Sequence, residues 1–172
     1  MLKRLFKRGP EPQLSVLMVC MGNICRSPMA EGVLRGKLQQ AGMADLVRVD
    51  SAGTHGFHRG AAPDPRAIAQ AGRRGWRLDG QKSRPVVEAD FSRFDLLLAM
   101  DADNLAALRE RCPEPSADRL GLLLDHAPWL DSREVPDPYY GAVAGFDLAL
   151  DLIEPACDGL LRQLRRRLGL PA

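Results

Sequence analysis

No apolar run in this chain approaches the roughly 20 residues that cross a membrane. The opening stretch, Met1-Leu2-Lys3-Arg4-Leu5-Phe6-Lys7-Arg8-Gly9-Pro10, is basic but lacks the apolar block of a secretory signal. The net charge is only +2, too little for a broad nucleic-acid footprint. The four cysteines, Cys20, Cys25, Cys112 and Cys157, show no Cys-x2-Cys metal spacing. No Gly-Lys-Ser/Thr closes a glycine-rich stretch, which argues against a nucleotide-hydrolysing P-loop. Neither an internal repeat nor a low-complexity linker divides the chain. At 172 residues, 45% hydrophobic and 27% charged, the composition is that of one soluble domain. A chain of this length buries a core without disulfides or metals.

What remains is an alternation of short apolar runs and amphipathic stretches. Residues 14–19, 46–50, 95–100 and 120–124 read as strands, and residues 28–40, 65–74, 102–111 and 145–168 as helices. That order predicts an α/β fold, a single-domain doubly wound parallel sheet with helices on both faces. Residues 1–13 are expected to be a disordered basic extension, and residues 14–172 the domain. Pro155 conflicts with the last helix, because an internal proline costs about 3 kcal/mol and one hydrogen bond. A kink or break is therefore expected near Ile153 and Glu154.

The chemistry concentrates at the first strand-to-helix junction, Cys20-Met21-Gly22-Asn23-Ile24-Cys25-Arg26-Ser27. Unpaired amides at a helix start carry partial positive charge and receive anions readily. The five residues between Cys20 and Arg26 suffice to curl the backbone around one tetrahedral oxyanion, with the amides facing inward. Gly22 and Asn23 tolerate the positive φ such a curl requires. Ser27 is expected to cap the helix, Pro28 to open it and Glu31 to add charge to its first turn. The same field favours a thiolate at Cys20, and the Arg26 fork matches two oxygens of a phosphate. Farther on, Asp137-Pro138-Tyr139-Tyr140 offers a carboxylate on an extended segment beside two rings able to wall an aromatic group. Asp101, after the third strand, is a further acid able to line the loop.

Together these segments resemble the low-molecular-weight protein tyrosine phosphatases. The likeness runs through Val19 to Glu31, Asp50-Ser51-Ala52-Gly53-Thr54, Pro63-Asp64-Pro65-Arg66-Ala67, Phe94-Asp95 to Met100-Asp101, and Asp137 to Tyr140. It implies a four-stranded sheet and a two-step reaction without cofactor or metal. In that reaction Cys20 attacks phosphorus, Arg26 and the amides of residues 21–27 hold the oxygens, and Asp137 acts as acid and then base. It further implies Phe57, Tyr139 and Tyr140 as pocket walls, and Asn23, Ser27 and Ser51 as supports of the loop. Phosphoarginine-hydrolysing relatives tend to carry threonine at the position of Ile24, so Ile24 and Tyr139 point to an aryl ester. A deep pocket also excludes phosphoserine, whose phosphate does not reach the floor. Cys25 is implied as a reversible disulfide partner of Cys20, protecting it from irreversible oxidation. The partners implied are phosphotyrosine proteins and a bacterial tyrosine kinase; no nucleic acid, no membrane and a monomer are expected. A nucleophilic thiol places the protein in the reducing cytoplasm.

Two other readings stay open on the sequence. A thiol-dependent arsenate reductase on the same fold needs two relay cysteines, for which Cys112 and Cys157 are poorly spaced. A catalytically silent phosphopeptide-binding module would have no need of Cys20, Arg26 and Asp137 together.

Overall fold

The computed structural model describes residues 10–172. Four strands, β1 (Leu14–Cys20), β2 (Val47–Gly53), β3 (Leu96–Ala99) and β4 (Leu120–Leu122), form one parallel sheet in the order β2-β1-β3-β4. The helices are α1 (Arg26–Gln40), α2 (Pro65–Arg73), the single turn α3 (Asp90–Arg93), α4 (Ala102–Arg111) and α5 (Ala144–Arg167). The doubly wound four-stranded sheet expected from the sequence is present.

Alternation along the strands divides the core in two. Val16, Met18 and Cys20 of β1, with Leu96 and Leu98 of β3, face α1 and α5 and join the larger cluster. Leu17, Val19, Leu97 and Ala99 face the other way, against Phe91, Phe94, Leu105 and Leu108 of α3, α4 and their flanks. Because β1 is buried on both faces, it reads as a continuous apolar run. The chain leaves β1 toward β2 and later crosses to β3 on the opposite side, so a crevice opens at the carboxyl ends of β1 and β3. Cys20 ends β1 at that crevice, and Met100-Asp101 follow β3 into it.

Several boundaries differ from expectation. Helix α1 begins at Arg26, two residues early, with Cys25 at the cap and no capping side chain. Strand β2 runs on to Gly53, and β4 ends at Leu122, where a 3-10 turn over Leu123–His126 takes over. Of the kink or break expected near Pro155, the break is absent: α5 is one helix of 24 residues. Its inner face, Phe146, Leu150, Ile153, Ala156, Cys157, Leu160 and Leu164, is fully buried on both sides of the proline. The amide that Pro155 lacks would have bonded the carbonyl of Asp151, an exposed residue, so water can satisfy the freed group. Trp76 Nε1 donates to Glu154 Oε1 (2.7 Å) and Arg74 pairs with Asp151 (2.8 Å), pinning this stretch from outside. At Gly159 a methyl group would overlap the His126 carbonyl, so glycine is what lets α5 close on the 3-10 turn.

Gln13 and Leu14 both donate to the Leu46 carbonyl at the entry of β1. Residues 1–9 of the expected basic extension lie outside the described residues.

Candidate active site

The loop after β1 is held by its carbonyls. Cys20 O accepts from Thr54 N (2.8 Å), Met21 O from His55 N (3.0 Å), and Ile24 O from Asp64 N (2.7 Å). Gly22 O accepts from Ser83 Oγ at 2.9 Å. With the carbonyls turned outward, the N–H groups of Gly22, Asn23, Ile24 and Cys25 donate to no acceptor among the described residues. They and the start of α1 form a concave donor set suited to an oxyanion. One residue pays the conformational cost: Asn23 has φ of 55°, whereas Gly22 does not need a positive φ.

Asn23 also braces the loop through its side chain. Nδ2 donates to Ser27 Oγ and to Ser51 Oγ, both at 2.9 Å, while Oδ1 accepts from Arg84 N at 3.0 Å. Ser51 Oγ donates to Glu31 Oε2 at 2.8 Å. Ser27 Oγ lies 3.0 Å from Cys20 Sγ. Ser27 Oγ thus joins Cys20 Sγ to the Asn23–Ser51 bracket, and either atom of the Ser27–Cys20 pair can be the donor. Ser27 therefore does not cap α1, as expected from the sequence. It sits inside the first turn with its hydroxyl turned to Cys20, because the helix starts early enough to carry it there. Glu31 likewise lies beyond the first turn, 2% exposed, and serves the Ser51 bracket instead.

Arg26 is almost fully buried. Its Nη1 donates to Asp101 Oδ2 (2.6 Å) and to the Val135 carbonyl (2.9 Å), and Nη2 stands 3.5 Å from Asp137 Oδ2. Burial alone would lower its pKa; the Cys20 sulfur, Asp101 and Asp137 outweigh that and raise it, so the cation is permanent. Asp101 fixes the guanidinium while its other oxygen caps α4 through Asn104 N (2.8 Å). Cys25 is buried, and desolvation, then Asp64 and the Cys20 sulfur, push its thiol up to about 12.

Cys20, Cys25, Arg26, Ile24 and Asp137 line one cavity of about 120 Å³, with Met21, Phe57, His58, Tyr139 and Tyr140 around it. Phe57 stacks on His55 with centroids 4.9 Å apart, and Tyr139 meets Tyr140 edge to face at 4.7 Å. The mouth is aromatic and largely exposed; the floor is a thiol, a guanidinium and free amides. Such a floor suits a phosphoryl group, and such a mouth a flat ring.

The sequence profile of the family described as low molecular weight phosphotyrosine protein phosphatase matches residues 15–169. The chain belongs to this family. A low molecular weight protein-tyrosine-phosphatase of Streptomyces coelicolor is 44% identical over 155 residues, 88% of this chain and 94% of that one. The crystal structure of YfkJ from Bacillus subtilis superposes with a TM-score of 0.86 at 37% identity, covering 92% of this chain and 99% of that chain. The tyrosine phosphatase Wzb from Escherichia coli K30, solved in complex with sulphate, superposes with a TM-score of 0.76 at 33% identity, over 87% and 97% of the two chains. The protein is accordingly a phosphatase of this family, hydrolysing phosphotyrosine through a cysteinyl-phosphate, and its substrates are phosphotyrosine-containing proteins. Among the described residues no helix is long and apolar enough to cross a membrane.

The residues singled out in the sequence, Cys20 to Ser27, Ser51, Phe57, Asp137, Tyr139 and Tyr140, converge on this one cavity and its supports. Cys112 and Cys157 do not: Cys157 is fully buried on the inner face of α5, and Cys112 packs at the second core cluster. Several contributors escaped sequence reading. His58 carries no signal beyond following Phe57. Ser83, Arg84 and the Val135 carbonyl arrive from segments whose local pattern says only loop. Arg66 stood within a quoted motif, but nothing local indicated its partners.

Proposed function

We propose that Cys20 is the nucleophile, Arg26 the phosphate clamp and Asp137 the general acid and base of the phosphotyrosine hydrolysis. The observation that carries this is the convergence of a buried thiol, a permanent guanidinium and a half-exposed carboxylate on one cavity ringed by aromatic side chains. The Cys20 thiolate attacks phosphorus as the P–O bond to the ring breaks, and Asp137 gives its proton to the departing phenol. Asp137 then takes a proton from water as that water displaces sulfur from phosphorus, releasing phosphate and restoring the thiolate. Arg26 and the amides of Met21, Gly22, Asn23, Ile24, Cys25 and Ser27 bond the equatorial oxygens through both steps. Asn23, Ser27 and Ser51 keep that cradle in shape.

Phe57, Tyr139 and Tyr140 form the walls for the ring, and Ile24 gives the interior an apolar side. That Wzb was solved in complex with sulphate, an anion of phosphate's size and shape, is in keeping with an oxyanion-binding fold. Cys25 acts on the oxidised enzyme. After peroxide converts Cys20 to a sulfenic acid, Cys25 condenses with it to a disulfide and water leaves. Oxidation also removes the Cys20 charge, one of the causes holding the Cys25 thiol protonated. We place the protein in the cytoplasm as a monomer opposing a bacterial tyrosine kinase, with residues 1–13 dispensable for turnover.

The test is a substrate panel with two variants. Phosphotyrosine should be hydrolysed, with phosphoserine and phosphoarginine far slower. Cys20→Ser should abolish turnover while retaining phosphate binding, and Asp137→Asn should slow esters of poor leaving groups most. Undiminished hydrolysis by Cys20→Ser overturns the assignment.

A further inference from the structure

The loop bearing Asp137 and the loop bearing Cys20 come from segments more than a hundred residues apart, and one side chain outside the cavity ties them together. Arg66 lies in the first turn of α2. Its fork grips Asp64, the cap of the same helix, with Nε to Oδ1 at 3.0 Å and Nη2 to Oδ2 at 2.8 Å. The backbone N–H of Asp64 donates to the Ile24 carbonyl at 2.7 Å, which anchors this unit to the phosphate-binding loop. From its other edge the guanidinium reaches the acid loop, with Nη2 to Tyr139 O at 3.0 Å and Nη1 to Gly141 O at 3.2 Å. Its carbon stands 5.9 Å from the centroid of the Tyr139 ring and 4.7 Å from that of Phe146, at the start of α5.

Tyr139, once held, holds Asp137: the Tyr139 N–H donates to Asp137 Oδ1 at 3.1 Å. Besides this bond, the carboxylate has the 3.5 Å approach to Arg26 Nη2 as its other contact among the described ion pairs and hydrogen bonds. Asp137 is 40% exposed on its side chain, so packing does little to fix it. On its N-terminal side the acid loop is tied at Val135, whose carbonyl accepts from Arg26 Nη1 (2.9 Å) and whose N–H donates to the Met100 carbonyl (2.8 Å); on its C-terminal side the constraint is the route Ile24–Asp64–Arg66–Tyr139–Asp137, every link of which is a hydrogen bond or ion pair. Only a planar fork with five donors can engage a carboxylate on one edge and two carbonyls on the other. Arg66 does not line the cavity.

We propose that Arg66 is a positioning residue for general acid catalysis, setting the distance between the Asp137 carboxyl and the leaving oxygen by clamping the Tyr139–Gly141 backbone to the phosphate-binding loop. This rests on the reading of Asp137 as the acid. A misplacement of about 1 Å in a catalytic group can cost on the order of 100-fold, within the contribution of acid–base catalysis itself.

The test is a double-mutant cycle on kcat/KM, which reports the step that breaks the ester bond. Phenyl phosphate supplies a poor leaving group and 4-nitrophenyl phosphate a good one. Arg66→Met should lower kcat/KM for phenyl phosphate about 10- to 100-fold and for 4-nitrophenyl phosphate less than about threefold. Arg66→Lys, which keeps the charge and loses the fork, should retain most of the defect. In an Asp137→Asn background the Arg66→Met penalty on phenyl phosphate should vanish, since nothing remains to be positioned. The rate of Cys20 alkylation by iodoacetate should match wild type in both Arg66 variants. An equal loss for the two esters, a penalty that persists beside Asp137→Asn, or full rescue by lysine overturns the proposal while leaving Asp137 as the acid. If Asp137→Asn alone shows no leaving-group dependence, both the acid assignment and the role of Arg66 fall.

Discussion

Replacing Glu31 by glutamine should make the protein more stable at pH 8 than at pH 5, relative to wild type. Glu31 is 2% exposed and accepts one hydrogen bond from Ser51. Its ion-pair partner Arg35 lies 2.8 Å away but is half exposed, so water screens much of the compensation. Burial, opposed by Arg35 and Ser51, raises the carboxyl from 4.5 to about 7. The folded protein therefore binds more protons at this site than the unfolded chain between those two values, and stability falls as pH rises through that window. The penalty is absent below about 4.5 and complete above about 7. At 1.36 kcal/mol per unit, the shift of roughly 2.5 units amounts to about 3 kcal/mol. Glutamine never ionises, and its carbonyl still accepts from Ser51, so the loop bracket survives. Thermal unfolding of both proteins between pH 5 and 8 should show the variant gaining about 2.5 kcal/mol relative to wild type, since part of the penalty has already set in at pH 5, or roughly 5–10 °C in Tm for a chain of this size. A stability difference independent of pH would refute the reasoning, since it would mean the buried carboxyl titrates alike in folded and unfolded chains.

Two further outcomes follow from packing and burial. A methyl at Gly53 would stand 2.6 Å from the Met21 carbonyl oxygen and 2.8 Å from that of His55, both backbone atoms; Gly53→Ala should cost about 1–3 kcal/mol in chemical denaturation and weaken competitive inhibition by phosphate, and wild-type values in both would show the loop is not set by this contact. With its thiol pushed up to about 12, Cys25 should resist iodoacetamide at pH 8 in the folded protein, as should fully buried Cys157, and both should react in urea; peptide mapping that found Cys25 labelled as fast as Cys20 would contradict the burial argument.

Legibility in the sequence tracked the range of the interaction. The strands were legible because β1 and β3 are buried on both faces and so read as plain apolar runs. The cradle was legible because Cys20, Asn23, Arg26 and Ser27 lie within one turn of chain, where spacing and residue type suffice. The role of Ser27 was not: capping is a local rule, and what decided its place was Asn23 reaching across to Ser51 on β2. Glu31 was misread for a similar reason, since a first-turn charge and a buried acceptor look alike until β2 is docked. A break at Pro155 was a misjudged alternative because propensity assigns the cost to the helix alone, while the burial of the apolar side chains on both flanks comes from tertiary packing. Arg66, Ser83 and Arg84 reach the site from loops and short helices, and the groups they meet there, the Tyr139, Gly141 and Gly22 carbonyls and the Asn23 side chain, are distant in sequence and leave no mark in the local pattern.

The pairing of Arg26 also bears on the order of events in catalysis. Nη1 is occupied by Asp101 and the Val135 carbonyl, so the edge left for a phosphate is Nε and Nη2. Asp137 already stands 3.5 Å from Nη2. A phosphate dianion docking on that edge would press a second anion against the carboxylate, and two anions sharing one guanidinium edge repel. In the proposed mechanism Asp137 enters the first step as the acid, a neutral carboxyl that takes no part in that repulsion. In the proposed second step the phenol has left with the proton of the acid, and the restored carboxylate, 3.5 Å from Nη2, can take a proton from the attacking water. Asp101 makes this sequence possible by keeping the cation in place through both steps. Removing it would free Arg26 to follow either anion and so uncouple phosphate binding from the state of the acid.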